Sequence, residues 1–233
     1  FMGNREGLVF DVCRRPMSEA FWTPFEGYLK GIGVNLHLGD FAHRLEKSEQ
    51  GWRLECDKQV LHANDVVLAL SVPALKKVVG NSPDLERGSW SEDIQKLDVT
   101  RPFAVWRMWL DKPTRPDRFP FVGTSGLGLI DNISLYHLFQ EESREWDEQR
   151  GGAVVELHAY GLPQDVSEGD IRRDMLSALH TLYPETVSAG VVDERFLLRQ
   201  DCPDFSCGTY KGRPGVDTPH SNVFLAGDFV RLP

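Results

Sequence analysis

Between Arg101 and Asp111 the chain reads RPFAVWRMWLD, and this alternation constrains the fold more than any other stretch. Side chains of a strand point to opposite faces with period two. Ala104, Trp106, Met108 and Leu110 therefore share one face, while Phe103, Val105, Arg107, Trp109 and Asp111 share the other. The first face is wholly apolar and requires a covering layer. The second mixes large apolar groups with one cation and one anion. That mixture fits either a salt-bridged Arg107–Asp111 pair on an exposed face or polar contacts inside a hydrophobic pocket.

The rest of the chain supplies layers for such a strand. Further strands are expected over 119–123, 133–138, 153–160 and 192–198. Glu141–Arg150 is charged throughout and reads as a surface helix. Ser167-x-x-Asp170 resembles a capping box with Asp in the usual Glu position, and opens a helix. Its stripe is Ile171, Met175, Ala178, Leu179 and Leu182, and Pro184 stops it.

Before Arg101 the texture differs. Met17, Ala20, Phe21, Phe25, Tyr28 and Leu29 recur at helical steps over 16–33, with Pro24 as an interruption and Gly31 and Gly33 as terminators. Short strands follow at 34–38, 42–47, 52–57 and 59–62. Asp65-Val66-Val67-Leu68-Ala69-Leu70 is a continuous apolar run too short for a helix, the profile of a strand buried on both faces. A helix over 74–79 follows Pro73. The class is mixed α/β (α+β).

Composition narrows the function. A net charge of −9 leaves no bulk excess of cations to neutralise phosphates, so no nucleic-acid partner is expected. Hydrophobic content of 41 % suffices for a sizeable core. The four cysteines form no zinc-ligand pattern and read as free thiols in a reducing cytoplasm. The seven histidines show no metal-binding spacing; His137 and His158 lie in apolar strands and read as hydrogen-bonded core or pocket-wall residues. Gly123-x-x-Gly126-x-Gly128 reverses the dinucleotide fingerprint and opens no helix, so it reads as a hairpin. No nucleophile elbow is present.

The last distinctive stretch is NVFLAGDF, Asn222–Phe229, a strand running into a Gly-Asp turn. Glycine there leaves room for close ligand approach, and the carboxylate can accept hydrogen bonds from hydroxyls. With its flank, HSNVFLAGDF resembles the C-terminal flavin motif of the FAD-dependent amine oxidase and carotenoid desaturase superfamily. The block GVNLHLGDFAHRLEKSEQGWRLECDKQVLHANDVVLALSVPAL resembles that superfamily too. MGNREGLVFDV, SLYHLFQEESREW and GTYKGRPGVDTPHSNVFLAGDF resemble bacterial carotenoid desaturases of the isorenieratene-synthase type.

The resemblance implies a partial, discontinuous Rossmann-type FAD-binding domain with an inserted β-rich substrate domain. The implied segments are 1–88 for the cofactor domain, 89–192 for the substrate domain and 193–233 for the return. It implies FAD as cofactor, with Gly227 packed against it, Asp228 bonding its ribityl or diphosphate region, Ala226 beside them, and the Ala42 backbone near adenine. Residues 69–73 would pass its adenine-diphosphate side. The family's G-x-G-x-x-G is expected upstream of Phe1 and its flavin-facing helix beyond Pro233, so this stretch alone is expected to be inactive and to hold FAD weakly or not at all.

The implied reaction is desaturation of a long apolar polyene such as a carotenoid. Phe103, Arg107 and Trp109 are then candidate pocket residues, and peripheral contact with a membrane is implied for a cytoplasmic enzyme. A flavin amine oxidase or protoporphyrinogen-oxidase-like enzyme with another substrate, and a non-catalytic substrate-binding module, are the alternatives.

Overall fold

The computed structural model describes residues 11–86 and 88–232, so most of MGNREGLVFDV lies outside the described residues. In chain order the elements begin with α1 (Thr23–Gly31), β1 (Ala42–Ser48), β2 (Gly51–Cys56), β3 (Val60–Ala63), β4 (Val66–Leu68), α2 (Val72–Gly80) and α3 (Gly88–Lys96). There follow β5 (Phe103–Leu110), β6 (Phe121–Gly123), β7 (Asn132–Leu135), α4 (Glu141–Arg150), β8 (Ala153–Ala159), α5 (Glu168–Leu182), β9 (Val191–Arg199) and β10 (Val223–Leu225).

Two compact units result. One comprises the residues up to Leu36 together with Pro102–Arg199; the other comprises His37–Arg101 and the chain from Gln200 onward.

The first unit is built on a five-stranded antiparallel sheet ordered β6-β7-β8-β5-β9. The alternation of β5 is realised in full: Ala104, Trp106, Met108 and Leu110 are buried, and the residues between them are half-buried. The buried face packs on α5 through Ile133, Leu135, Val155, Leu157, Ile171, Met175 and Leu179. Ser167 caps α5 as its sequence suggests, its hydroxyl oxygen accepting the Asp170 N–H. Strand β9 bonds β5 from Phe103–Arg199 to Leu110–Val191. The boundary expected at 192/193 therefore falls inside a strand of this sheet, and the return to the other unit comes after Arg199. The expected boundary at 88/89 is likewise displaced, to 101/102, because α3 packs in the other unit's core.

Three further expectations change. Arg107 and Asp111 do not pair: residues four apart in a strand stand about 13 Å apart, and Asp111 instead accepts the Gly190 N–H at 2.7 Å. The helix near the start forms, but Phe21, Trp22, Phe25 and Tyr28 remain exposed. Its first turn is a π-turn over Ser18–Trp22, in which the Thr23 N–H reaches back five residues to Ser18. Pro24, lacking an N–H, cannot continue an ordinary ladder there. Residues 34–38 form no strand; Gly33 and Gly39, both at positive φ, bracket an exposed connection.

The second unit joins a three-stranded meander, β1-β2-β3, to a parallel pair, β4 with β10. Helices α2 and α3 cover them through Leu75, Val79 and Ile94, against Leu45, Leu68, Val223 and Leu225. Val66 and Leu68 face this core side, whereas Val67 is 59 % exposed, so β4 is covered on one face and not on both.

Candidate functional site

Two places gather the chemistry expected from sequence, one in each unit. In the second unit, β4 and β10 run parallel and in register from Val66–Val223 to Leu68–Leu225, and the Ala226 N–H continues the ladder to the Leu68 carbonyl at 3.2 Å. Asn222, left-handed at φ 63°, sets the entry to β10, and its carbonyl accepts the Val66 N–H. The carboxyl ends of both strands therefore open on one edge. Helix α2 begins just past that edge, and no side chain caps its N-terminus. In parallel sheets this edge is where nucleotide cofactors bind, with the positive end of a helix dipole turned toward phosphate.

Ala226, Gly227 and Asp228 stand at this edge. Gly227 is at φ 144°, a conformation that favours glycine, and a Cβ there would lie 2.7 Å from the Phe229 ring. The Phe229 ring turns inward into the core and lines a cavity of about 380 Å³ with Leu97, Pro203 and Arg213. Asp228 is exposed. An exposed glycine followed by an exposed carboxylate is a combination that suits a cofactor's ribityl and diphosphate groups. Ala42 belongs to the other sheet of this unit, the β1-β2-β3 meander. It opens the meander opposite Cys56, at an irregularity of register between Ala42 and Arg44.

In the first unit, Phe103, Arg107 and Trp109 share the face of the sheet opposite α5, as the alternation requires. Register sets Arg107 beside Glu156 of β8, and Glu156 beside Ser134 of β7. Glu156 is buried and receives three hydrogen bonds: from Arg107 Nε at 2.7 Å, from the Tyr136 hydroxyl at 2.9 Å and from His158 Nε2 at 2.9 Å. Burial raises the pKa of Glu156, but these partners outweigh it and the net shift is downward, so the carboxylate stays ionised. Burial and the neighbouring carboxylate push the Tyr136 hydroxyl up to about 12, so it remains a donor. The Arg107 guanidinium also lies 3.9 Å from the Tyr136 ring centroid.

The network reaches the surface through His158 Nδ1, which stands 2.6 Å from the Tyr160 hydroxyl. Tyr160 is 52 % exposed and its ring lies beside Phe103. Glu156, Tyr136 and Tyr160 were not singled out from sequence. The available signal was Glu156-x-His158-x-Tyr160, three polar groups at period two inside an apolar strand. Both histidines are hydrogen-bonded as read: His158 to Glu156 and Tyr160, and His137, which is buried, to Val154 and Thr114. Among the described residues no cluster of three or more metal-ligating side chains occurs, and no helix is long and apolar enough to cross a membrane.

Comparison with known proteins agrees with this architecture. The family of flavin containing amine oxidoreductases matches residues 15–233. A carotenoid phi-ring synthase of Streptomyces griseus is 39 % identical over 232 residues, covering 99 % of this chain and 45 % of that protein. A carotenoid phi-ring synthase of Chlorobaculum tepidum is 44 % identical over 139 residues, 59 % of this chain and 22 % of that protein. The chain thus spans less than half the length of these relatives. An oxidoreductase from Methanosarcina mazei shares the fold with a TM-score of 0.57 at 16 % identity, over 88 % of this chain and 47 % of that one. The chain belongs to the flavin containing amine oxidoreductase family.

Proposed function

We propose that this chain is the substrate sheet and a cofactor-domain segment of an FAD-dependent oxidoreductase that desaturates a long apolar polyene of the carotenoid class. The observation that carries this reading is the identity of 39 % with a carotenoid phi-ring synthase along 99 % of the chain. The parallel pairing of β4 and β10 supports the cofactor half of the reading, because Ala226-Gly227-Asp228 follow the carboxyl end of β10, the end of a parallel strand at which ligands generally bind.

Bound flavin supplies the acceptor for the hydride that a desaturation removes. The residues of this chain have the tasks of binding and orientation. Gly227 keeps the backbone open to the cofactor. Asp228 accepts hydrogen bonds from its ribityl hydroxyls or neighbouring groups. The start of α2 turns its dipole toward the diphosphate. Ala42 contributes its backbone near the adenine, as the family resemblance implies. Phe103 and Trp109 give the substrate apolar surface on either side of Arg107. Such a substrate dissolves in a lipid phase, so peripheral contact of a cytoplasmic enzyme with a membrane is part of the proposal.

The test uses the full-length protein containing this chain. The expected result is a yellow protein with bound FAD, whose flavin absorbance bleaches anaerobically when a carotenoid is presented in vesicles, with two hydrogens lost per new double bond. A colourless protein that takes up no added FAD would point to a non-catalytic module. Bleaching by an amine or a porphyrinogen, and not by carotenoids, would replace the polyene with that substrate.

A further inference from the structure

We infer that Tyr160, His158 and Glu156 form a proton relay on the face of the five-stranded sheet opposite α5, with the Tyr160 oxygen as the group that takes a proton from a substrate carbon. The assignment rests on the desaturation reading above.

The direction of the relay follows from donor and acceptor chemistry. Glu156 is ionised and can accept but not donate. His158 Nε2, 2.9 Å from Glu156 Oε1, must therefore carry a hydrogen. In neutral His158 the proton is then on Nε2, and Nδ1 is the acceptor. The partner of Nδ1 is the Tyr160 hydroxyl at 2.6 Å, which donates. A hydroxyl is thus held by a base, and the base is oriented by a carboxylate, which is the arrangement that activates hydroxyls for proton transfer.

The chain of groups also grades from interior to surface. Glu156 is 6 % exposed and Tyr160 is 52 % exposed. Arg107 from β5 and Tyr136 from the turn after β7 brace the inner end, so the carboxylate cannot swing away. Asn132 lies opposite His158 in register, and Asp131 accepts the Tyr160 backbone N–H at 2.6 Å. Arg195 of β9 lies opposite Arg107 in register, with its guanidinium paired to Asp193 at 2.7 Å. Phe103, beside the Tyr160 ring, gives the outer end an apolar neighbour suited to hydrocarbon.

The step balances as follows. A desaturation breaks two C–H bonds on adjacent carbons and forms one C=C bond. One hydrogen leaves with its electron pair as hydride, for which the flavin of the full-length enzyme is the acceptor. The other leaves as a proton to the Tyr160 oxygen, its bonding pair becoming the new π bond. The proton that Tyr160 held passes to His158 Nδ1, and the imidazolium is stabilised by Glu156. Tyr160 is the catalytic residue, and His158 and Glu156 position and drive it.

Two measurements on the full-length protein test this. Nitrogen-15 labelling of histidine, with His158 identified by subtraction of the H158Q spectrum, reads the tautomer directly. The neutral ring is expected to carry its proton on Nε2 in the wild type, and to lose that preference in Glu156→Gln. A wild-type His158 protonated on Nδ1 overturns the relay. Anaerobic single-turnover flavin bleaching by a carotenoid supplies the second readout. Glu156→Gln, which removes the carboxylate that orients the imidazole, is expected to lower the bleaching rate at a fixed pH. Tyr160→Phe, at an exposed site that leaves folding intact, is expected to lower it about a hundredfold with little change in substrate affinity. A Tyr160→Phe enzyme with the wild-type rate overturns the relay. A wild type bleached by no carotenoid, yet showing Nε2 protonation, supports the relay geometry and refutes the desaturation reading instead.

Discussion

The Phe229 ring lies against Gly227 so closely that a single added methyl at 227 would stand 2.7 Å from ring carbon Cε1. Together with φ 144°, this makes the glycine a requirement of the turn that ends β10. Gly227→Ala is expected to destabilise the protein by about 1–3 kcal/mol and to displace Phe229 from the core. Chemical denaturation and flavin content of the full-length protein check this. A variant with wild-type stability would show that the turn relaxes freely.

Asp228, one residue on, is expected to behave differently because it is exposed. Asp228→Asn should change stability by no more than about 0.5 kcal/mol. It should weaken FAD retention at least about tenfold, since an amide presents one acceptor oxygen in place of two. Comparing melting temperature with the flavin-to-protein ratio separates the two effects, and undiminished FAD retention would remove Asp228 from the site.

Arg118 and Glu185 form a fork of two hydrogen bonds at 2.8 and 2.7 Å, with the guanidinium over the Tyr183 ring. Bonding to Arg118 holds the Glu185 carboxyl at about 2, against an ordinary value of 4.5. A depressed folded-state pKa adds stability that is fully present above the unfolded value and is lost as pH falls through the folded one. The loss therefore falls between about pH 4.5 and pH 2. The pair is expected to contribute on the order of 2 kcal/mol at neutral pH. Arg118→Gln should flatten this part of the acid-stability profile, and parallel profiles for the two proteins would show that the pair contributes nothing.

Met175 is buried where α5 crosses the sheet. Met175→Ala should cost about 2–5 kcal/mol through lost burial and a residual cavity. Because it acts on the face opposite Glu156, it should leave the His158 tautomer unchanged. A shift in both readouts would mean that the two faces of the sheet are mechanically coupled.

What the sequence by itself determined was local and periodic. The alternation of β5, the stripe and cap of α5, the charged helix α4 and the short apolar strand β4 were all legible. Each follows from a spacing between neighbours, because strand and helix periods put predictable side chains on one face. The Ala226-Gly227-Asp228 turn was legible as a motif for the same reason. Tertiary structure decided which elements share a sheet and which faces are covered. Strand β9 joins β5 rather than the second unit, through a register that no local spacing specifies. Val67 and the aromatic face of α1 lie exposed although their patterns suit burial, since a pattern states what a face can bury and not what arrives to cover it. The partner of Arg107 was decided in the same way. Asp111, four residues along the strand, is too far, while Glu156, forty-nine residues along the chain, is brought to 2.7 Å by β-sheet pairing.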